Sequence, residues 1–219
     1  MSTKQIKKRI DEIKLLHREI ASRVEERLAE FRRIGVQGDD CALFIELVFC
    51  LLTPQSGARR CGQAVQNLLG KECLMDGSFE DICPELNIVR FKNNKTRYIL
   101  EARDLFMGPG KSLRAVIERF SDVFELREWI ANNVKGLGYK EASHFLRNIG
   151  FGESFAILDR HILRNMVPLG LIRDIPASIS PRRYIEMEHS LRHFSDKIGI
   201  PLAHLDFVLW YRETGDIFK

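Results

Sequence analysis

The chain has 219 residues, 45% of them hydrophobic, and a formal net charge of +4. This length suits one or two domains with a real core, and the mildly basic balance permits an anionic partner without requiring one. Residues 1–14 contain no uninterrupted apolar segment of the kind found in signal peptides, and the longest apolar run, residues 41–52, is too short to span a bilayer. We therefore expect a cytoplasmic protein without a membrane partner. A monomer is expected too, although no sequence pattern determines the oligomeric state.

The first predicted helix covers residues 6–31. Its apolar residues are spaced by three or four positions, which is typical of an amphipathic helix with one buried stripe: Ile6, Ile10, Ile13, Leu16, Ile20, Val24, Leu28 and Phe31. Gly35 and Gly38 are expected to end this helix. The run at 41–52 is apolar nearly all round, so it predicts a second helix at the centre of a core.

Either Asp39 or Asp40 is expected to cap the second helix, and Thr53-Pro54 to end it. The third predicted helix runs from Arg59 to Leu69 and closes at Gly70, a typical C-cap residue. Further helices are predicted at 78–83, 94–106, 111–120, 124–132, 139–149, 160–167, 181–197 and 201–212. Because strand-type alternation is nearly absent, the patterns predict an all-α protein of about ten short helices.

The cysteines and histidines indicate no metal site. The five cysteines are widely spaced, none forms a CxxC pair, and two lie in the apolar run, so free buried thiols are expected. His161 has no second histidine or carboxylate at metal-ligand spacing, which argues against zinc.

A helix-hairpin-helix pattern occupies residues 127–149. The helix REWIANNVK is followed by the tight turn Gly136-Leu137-Gly138 and then by a helix from Tyr139. Backbone N–H groups exposed on one edge of such a turn can hold a phosphate without any side chain. An ordinary αα-hairpin is equally compatible with the three turn residues alone.

The lysine at position 140 has an unusual place. It falls in the first turn of the predicted helix, where a cation costs a few tenths of a kcal/mol. A surface lysine could tolerate this cost, but a lysine that must be neutral to act as a nucleophile benefits from it. Because the helix dipole contributes so little, the nucleophile hypothesis requires Lys140 to be partly buried in a cleft.

Asp159 lies in the segment SFAILDRHILR, after four apolar residues and before a helical pattern. A helix N-cap is the simplest interpretation, yet one carboxylate oxygen can cap the helix while the other faces a cleft. The neighbouring side chains of Arg160, His161 and Arg164 can bind phosphate or lie on a solvated face.

These motifs together resemble the helix-hairpin-helix DNA glycosylase superfamily. The sequence GLGYK is followed, 19 residues after its lysine, by the aspartate of AILDRHILR, and in the superfamily this lysine marks bifunctional glycosylase/lyases. The segments ELVFCLLTPQSGARRC and RFKNNKTRYILEAR are similar to the superfamily's "LLSxQ" and "GFxNxKAxxI" helices. The resemblance implies two helical subdomains flanking a cleft, one from residues 1–38 plus 153–219 and one from 39–152.

One departure selects among the branches of the superfamily. Endonuclease III and the adenine glycosylases usually carry an iron–sulfur loop near the C-terminus, whereas no cysteine here follows Cys83, so no such cluster is expected. The compact length and the ending LDFVLWYRETGDIFK resemble the archaeal-type (type 2) 8-oxoguanine DNA glycosylase/AP lyases. The resemblance implies damaged double-stranded DNA as the partner and base-excision repair, near the nucleoid, as the function.

The resemblance also assigns roles to residues. Lys140 would attack the sugar C1′ and form an imine that permits β-elimination, and Asp159 would stabilise the cationic sugar and help to deprotonate the lysine. The remaining expected contacts are phosphate binding by Gly136, Gly138, Lys92, Lys95, Arg97, Arg103 and Arg160, filling of the vacated stack by Gln55, wedging by Phe91, and lesion recognition by Trp210, Phe218 and Lys219. The resemblance also implies that the hairpin carbonyls can bind a monovalent cation.

Each of these residues also has a structural interpretation, as a loop residue, a core aromatic, a solvated charge or a frayed tail. Other functions stay open too. An enzyme of the same fold could excise oxidised pyrimidines, whereas alkyl-base glycosylases commonly lack the lysine. A non-catalytic helix-hairpin-helix module would bind DNA without needing Lys140 and Asp159, and a purely structural helical protein would not bind DNA at all.

Overall fold

The computed structural model describes residues 3–153 and 155–218. These residues form eleven α-helices and no strand, so the all-α prediction is confirmed. The helices are α1 (Thr3–Gln37), α2 (Asp40–Leu52), α3 (Ala58–Gly70), α4 (Phe79–Glu85), α5 (Lys92–Phe106), α6 (Leu113–Glu118), α7 (Val123–Asn133), α8 (Tyr139–Asn148), α9 (Arg160–Met166), α10 (Pro181–Ile198) and α11 (Leu202–Thr214). None of the helices in this described part is long and apolar enough to cross a membrane.

Helix α1 is a single amphipathic rod of 35 residues whose apolar stripe is buried, mainly against α11 and α8. The expectation that Gly35 ends this helix is wrong, because α1 continues to Gln37. A Cβ atom at Gly35 would lie 1.9 Å from the carbonyl oxygen of Ile149. Gly35 therefore allows α1 to pack closely on the end of α8, and it does not end the helix as its residue type suggested.

The ends of α2 and α3 follow from local chemistry. Asp39 caps α2 by accepting a hydrogen bond from Ala42 N, as predicted. The expected C-cap at Gly70 is wrong, because Gly70 is the last residue of α3 and the left-handed residue is Glu72, with φ of 54°. Glu72 N and Cys73 N donate to carbonyls of the last helical turn, so the backbone closes α3 without glycine at that position.

The buried apolar side chains form two clusters. One contains residues between Leu43 and Phe155 and surrounds α2, whose central position was predicted. The other combines residues 13–31 of α1 with residues 156–209. We retain the division into 1–38 plus 153–219 and 39–152 as a proposal that these two clusters support.

Candidate active site

The hairpin between α7 and α8 is built around Gly136, whose φ is 93°. A Cβ atom there would lie 2.4 Å from the ring of Tyr98, so both the backbone conformation and the packing require glycine. The amide of Gly138 donates to Glu141 Oε2 at 3.2 Å. This amide is therefore already occupied in the free protein, and a phosphate at Gly138 would have to displace a carboxylate.

Lys140 lies in the first turn of α8 at the edge of a cleft, and its side chain is 23% exposed. The partial burial that the nucleophile hypothesis requires is therefore present. Its Nζ lies 3.1 Å from Glu141 Oε1 and donates to Thr53 Oγ1 at 3.3 Å. Glu141 thus joins the amine to the hairpin amide of Gly138.

Asp159 is the N-cap of α9. Its Oδ1 accepts from His161 N and Ile162 N at 2.8 and 2.9 Å, which leaves Oδ2 unused by the cap. The capping interpretation is confirmed, and the same side chain lines the cleft. One oxygen therefore fixes the carboxylate while the other is available to chemistry.

The segment 155–158, which presents Asp159, is held by side chains of α10 and α11. Its backbone amides donate to Glu188 Oε1 at 3.0 Å and to Asp206 Oδ1 at 3.1 Å. The hydroxyl of Tyr184 also hydrogen-bonds to this segment. These contacts fix the backbone immediately before the candidate catalytic carboxylate.

The two acidic side chains that hold this segment are paired with arginines of the helix-hairpin-helix. Arg127 Nη1 lies 2.8 Å from Glu188, and Arg147 Nη1 lies 2.9 Å from Asp206, with all four side chains buried. Burial raises the pKa of Asp206 to about 6 and lowers the pKa of Arg147, so desolvation outweighs the attraction within this pair. The pairs connect the hairpin to the elements that carry Asp159.

One cleft of about 800 Å³ brings five of the predicted residues together. Lys140, Asp159, Gln55, Arg160 and Trp210 all line it, together with fourteen further residues. These are Thr53, Pro54, Ser56, Gly57, Ala58, Arg90, Glu141, His144, Arg147, Ile157, His161, Ile162, Asp206 and Phe207. Within the described residues no group of three or more histidine, cysteine or acidic side chains is arranged to hold a metal.

Two exposed loops flank the cleft, and each has a non-glycine residue in the left-handed region. Gln55 has φ of 55° and Phe91 has φ of 59°. The Phe91 ring is 56% exposed and has the Arg90 guanidinium 5.8 Å from its centre. Lys92 is partly exposed and donates to Asn87 Oδ1 at 2.6 Å. An exposed aromatic on a strained loop fits the predicted wedge.

Lys95 is placed differently from the sequence-based expectation. Its side chain is only 3% exposed, and Nζ donates to three oxygens of the turn that follows α2. This corrects the expected phosphate contact, because the ammonium faces inward. Arg103 likewise donates to a carbonyl, that of Gly77, at 2.8 Å.

The C-terminal residues are split between the cleft and the core. Trp210 lines the cleft with its ring at 72° to that of His161 and the centroids 6.3 Å apart. Phe218 instead contacts Phe49 edge-on and receives the guanidinium of Arg59 at 5.5 Å, so the expected stacking of Phe218 on a base is not the contact it makes. Lys219 lies outside the described residues.

Sequence reasoning missed Glu141, Arg147 and Asp206. Glu141 occupies the third position of α8, where an acidic residue commonly reaches back to the N-cap amide, so a local signal existed. The pair Arg147–Asp206 spans 59 positions, and no local pattern connects its members.

A lysine in the second helix of a helix-hairpin-helix, sharing a cleft with a capping aspartate, defines the class of helix-hairpin-helix DNA glycosylases. The sequence matches the family described as 8-oxoguanine DNA glycosylase over residues 24–200. The chain belongs to this family, and the resemblance seen in the sequence is confirmed.

Relatives and solved structures agree with this assignment. An 8-oxoguanine DNA glycosylase/AP lyase of Fusobacterium nucleatum is 45% identical over 210 residues, which cover 95% of this chain and 97% of the relative. The crystal structure of the Thermotoga maritima 8-oxoguanine DNA glycosylase has a TM-score of 0.87 at 34% identity, covering 98% and 100% of the two chains. The Methanocaldococcus jannaschii 8-oxoguanine glycosylase/lyase, in complex with a 15mer DNA containing 8-oxoguanine, has a TM-score of 0.86 at 33% identity, with 96% and 99% coverage.

Proposed function

We propose that this protein excises 8-oxoguanine from duplex DNA and cleaves the strand at the resulting abasic site. The observation that carries the proposal is that Lys140 and Asp159 line one cleft in a chain of this family. A relative with 45% identity has both activities in its name, and one neighbouring structure holds DNA with the lesion.

The chemistry uses two side chains. A base inside a duplex is unreachable, so the nucleotide leaves the stack at a cost of a few kcal/mol. The neutral amine of Lys140 bonds to C1′ as the N-glycosidic bond breaks, and the electron pair of that bond leaves with the base. Asp159 stabilises the positive charge that develops on the sugar. One amine proton then passes to O4′ as the C1′–O4′ bond breaks, which gives the protonated imine. Removal of a C2′ proton then expels the 3′ phosphate.

The lysine must first lose a proton. In the free protein Lys140 is paired with Glu141, whose carboxylate also accepts from the Gly138 amide. A DNA phosphate at the hairpin competes with that carboxylate for the amide, and its arrival frees Glu141 from the turn. The proton of Lys140 then passes through Oδ2 of Asp159 to solvent, so that Asp159 is a carboxylate again when the sugar becomes cationic.

The remaining contacts follow from position. Gln55 fills the gap left by the flipped nucleotide and Phe91 wedges beside the orphaned partner base, while Gly136, Lys92 and Arg160 contact the DNA backbone. Trp210 lines the cleft and stacks on the extruded base. For Lys219, which lies outside the described residues, the proposed contact with the N7–H of the lesion rests on the sequence resemblance alone. The protein works as a monomer near the nucleoid, without an iron–sulfur cluster, and a monovalent cation at the hairpin assists phosphate binding.

Borohydride trapping tests the proposal. The protein is incubated with duplexes that contain 8-oxoguanine, thymine glycol or a preformed abasic site, and covalent adducts are resolved by denaturing electrophoresis. We expect adducts with 8-oxoguanine and the abasic site. An adduct with thymine glycol but not with 8-oxoguanine would assign the oxidised-pyrimidine activity instead, and binding without any adduct would leave only a DNA-binding module.

A further inference from the structure

Lys95 is a buried cation at the C-terminal end of α2, and it comes from a different helix, α5. Its Nζ donates to Leu52 O at 2.6 Å, to Pro54 O at 2.9 Å and to Ser56 Oγ at 2.9 Å. An ammonium has three donors, so all of them are used inside the protein. The last carbonyls of a helix have no helical partner, so they are free to accept from the ammonium.

The turn that Lys95 holds is strained. Gln55, between two of the three acceptors, has a left-handed backbone, which costs a non-glycine residue of the order of 1 kcal/mol. Such a conformation persists only where its surroundings determine it. The Lys95 ammonium holds Gln55 in this conformation, because it binds the carbonyl of Pro54 before it and the hydroxyl of Ser56 after it.

The same contacts reach the second DNA-facing loop. Ser56 Oγ, which accepts from Lys95, also accepts from Arg90 N at 3.0 Å. Arg90 precedes Phe91, which like Gln55 is exposed and has a left-handed backbone. A single hydroxyl therefore joins the loop of Gln55 to the loop of Phe91, with the ammonium beneath it.

The turn also touches the candidate nucleophile. Thr53 lies between Leu52 and Pro54, whose carbonyls accept from Lys95, and its Oγ1 accepts from Lys140. Displacement of the turn would therefore move a contact of the amine as well as both loops.

We propose that Lys95 is a positioning residue that fixes Gln55 and Phe91 as one rigid unit and holds Thr53 against Lys140. This inference rests on the proposed function, since it concerns how the protein opens the duplex. Lys95 binds no DNA itself. Its loss should consequently impair insertion of the two loops into the stack and leave non-specific affinity for DNA intact, because phosphate contacts supply that affinity.

The test uses Lys95→Met, which keeps the length of the side chain and removes its donors. A 2-aminopurine beside 8-oxoguanine reports unstacking, and single-turnover assays report excision. We expect at least a tenfold slower excision and less than half of the wild-type fluorescence change, with the Kd for undamaged duplex within about twofold. Lys197→Met, an exposed lysine of α10, is the control for loss of charge and should behave as wild type.

Ser56→Ala provides a second variant, because it removes the hydroxyl that joins the loops and leaves two of the three lysine contacts. We expect the excision rate and the fluorescence change each to fall at least threefold. If Lys95→Met does not fold, this variant becomes the test of the proposal. Wild-type fluorescence and excision in a folded variant would overturn the proposal. An inactive wild-type protein would instead contradict the proposed function, so the two failures are distinguishable.

Discussion

Lys140 and Asp159 differ in what their local backbones require of them. The amine has no role in its helix, whereas the carboxylate caps α9 with one oxygen. A substitution at Lys140 therefore tests the chemistry without disturbing the helix. A substitution at Asp159 does so only if the replacement also caps the helix.

For Lys140→Gln we expect binding to lesion DNA but no borohydride-trapped adduct, because the amide nitrogen is not a nucleophile. Electrophoretic shift and trapping on the same duplex provide the two measurements. A trapped adduct at the wild-type level would place the nucleophile elsewhere.

For Asp159→Asn we expect the melting temperature to stay within a few degrees, because Asn caps a helix as well as Asp. Excision should fall by at least 100-fold, since the carboxylate no longer stabilises the cationic sugar. Single-turnover rates measure the loss. If the rate stays within about threefold of wild type, Asp159 is only a cap.

At the scale of single residues, the sequence was informative where the cue was local. Lys140 stands out because its helix position disfavours a cation, and Asp159 because it precedes a helical pattern. The burial of Lys95 had a cue that was not used: Lys95, Ile99, Ala102 and Phe106 follow the spacing of a buried helix face, and all four are buried. The three oxygens that bind it lie about 40 positions away and could not be foreseen.

Among the helices, α8 and α11 meet through the buried pair Arg147–Asp206. Asp206→Asn should reduce the free energy of unfolding by about 3–5 kcal/mol, because it leaves a buried guanidinium without a countercharge. The double variant Arg147→Met/Asp206→Asn should recover most of that loss, because it removes the buried charge while the Asn oxygen still accepts from Ile157 N. Urea denaturation measures both. Glu186→Gln, which breaks an exposed pair with Arg182, is the control and should change stability by less than about 1 kcal/mol.

Helix α3 carries the site where the C-terminal tail docks. A Cβ atom at Gly62 would lie 2.9 Å from the ring of Phe218, whereas at Gly70 it would meet nothing within 4 Å. We expect Gly62→Leu to displace the tail and slow 8-oxoguanine excision at least tenfold, with cleavage at a preformed abasic site far less affected. Gly70→Leu in the same helix should keep both activities. Equal loss of both activities in Gly62→Leu would indicate misfolding rather than a role for the tail.

The helices themselves were largely predictable, since apolar spacing and capping residues are local properties. The errors occurred where tertiary packing gave a residue another role. Gly35 permits contact with α8, and Phe218 packs on α3 although its position near the end suggested a free aromatic. Neither contact leaves a periodic signal in the sequence.

The stability of the whole molecule should depend on pH through Lys95. Burial lowers the pKa of its ammonium from 10.5 to about 8, with a contribution from Lys140. Between these values the unfolded chain holds more protons than the folded one, so the stability contribution of this group increases with pH. The free energy of unfolding of the wild type, relative to that of Lys95→Met, should therefore increase from pH 8 to pH 10. The increase should be at most about 1.4 kcal/mol per pH unit. A stability difference that does not change between pH 8 and pH 10 would contradict the lowered pKa of Lys95.

The two buried ion pairs also bear on synthesis of the chain. Arg127 and Glu188 are 61 positions apart, and Arg147 and Asp206 are 59 apart, with the arginine first in both cases. At about 5–20 residues per second, each arginine leaves the ribosome roughly 3–12 s before its countercharge. During that interval the helix-hairpin-helix must keep both guanidinium groups in water. The segment that presents Asp159 is fixed only when α10 and α11 arrive, so the nascent protein acquires its catalytic cleft last.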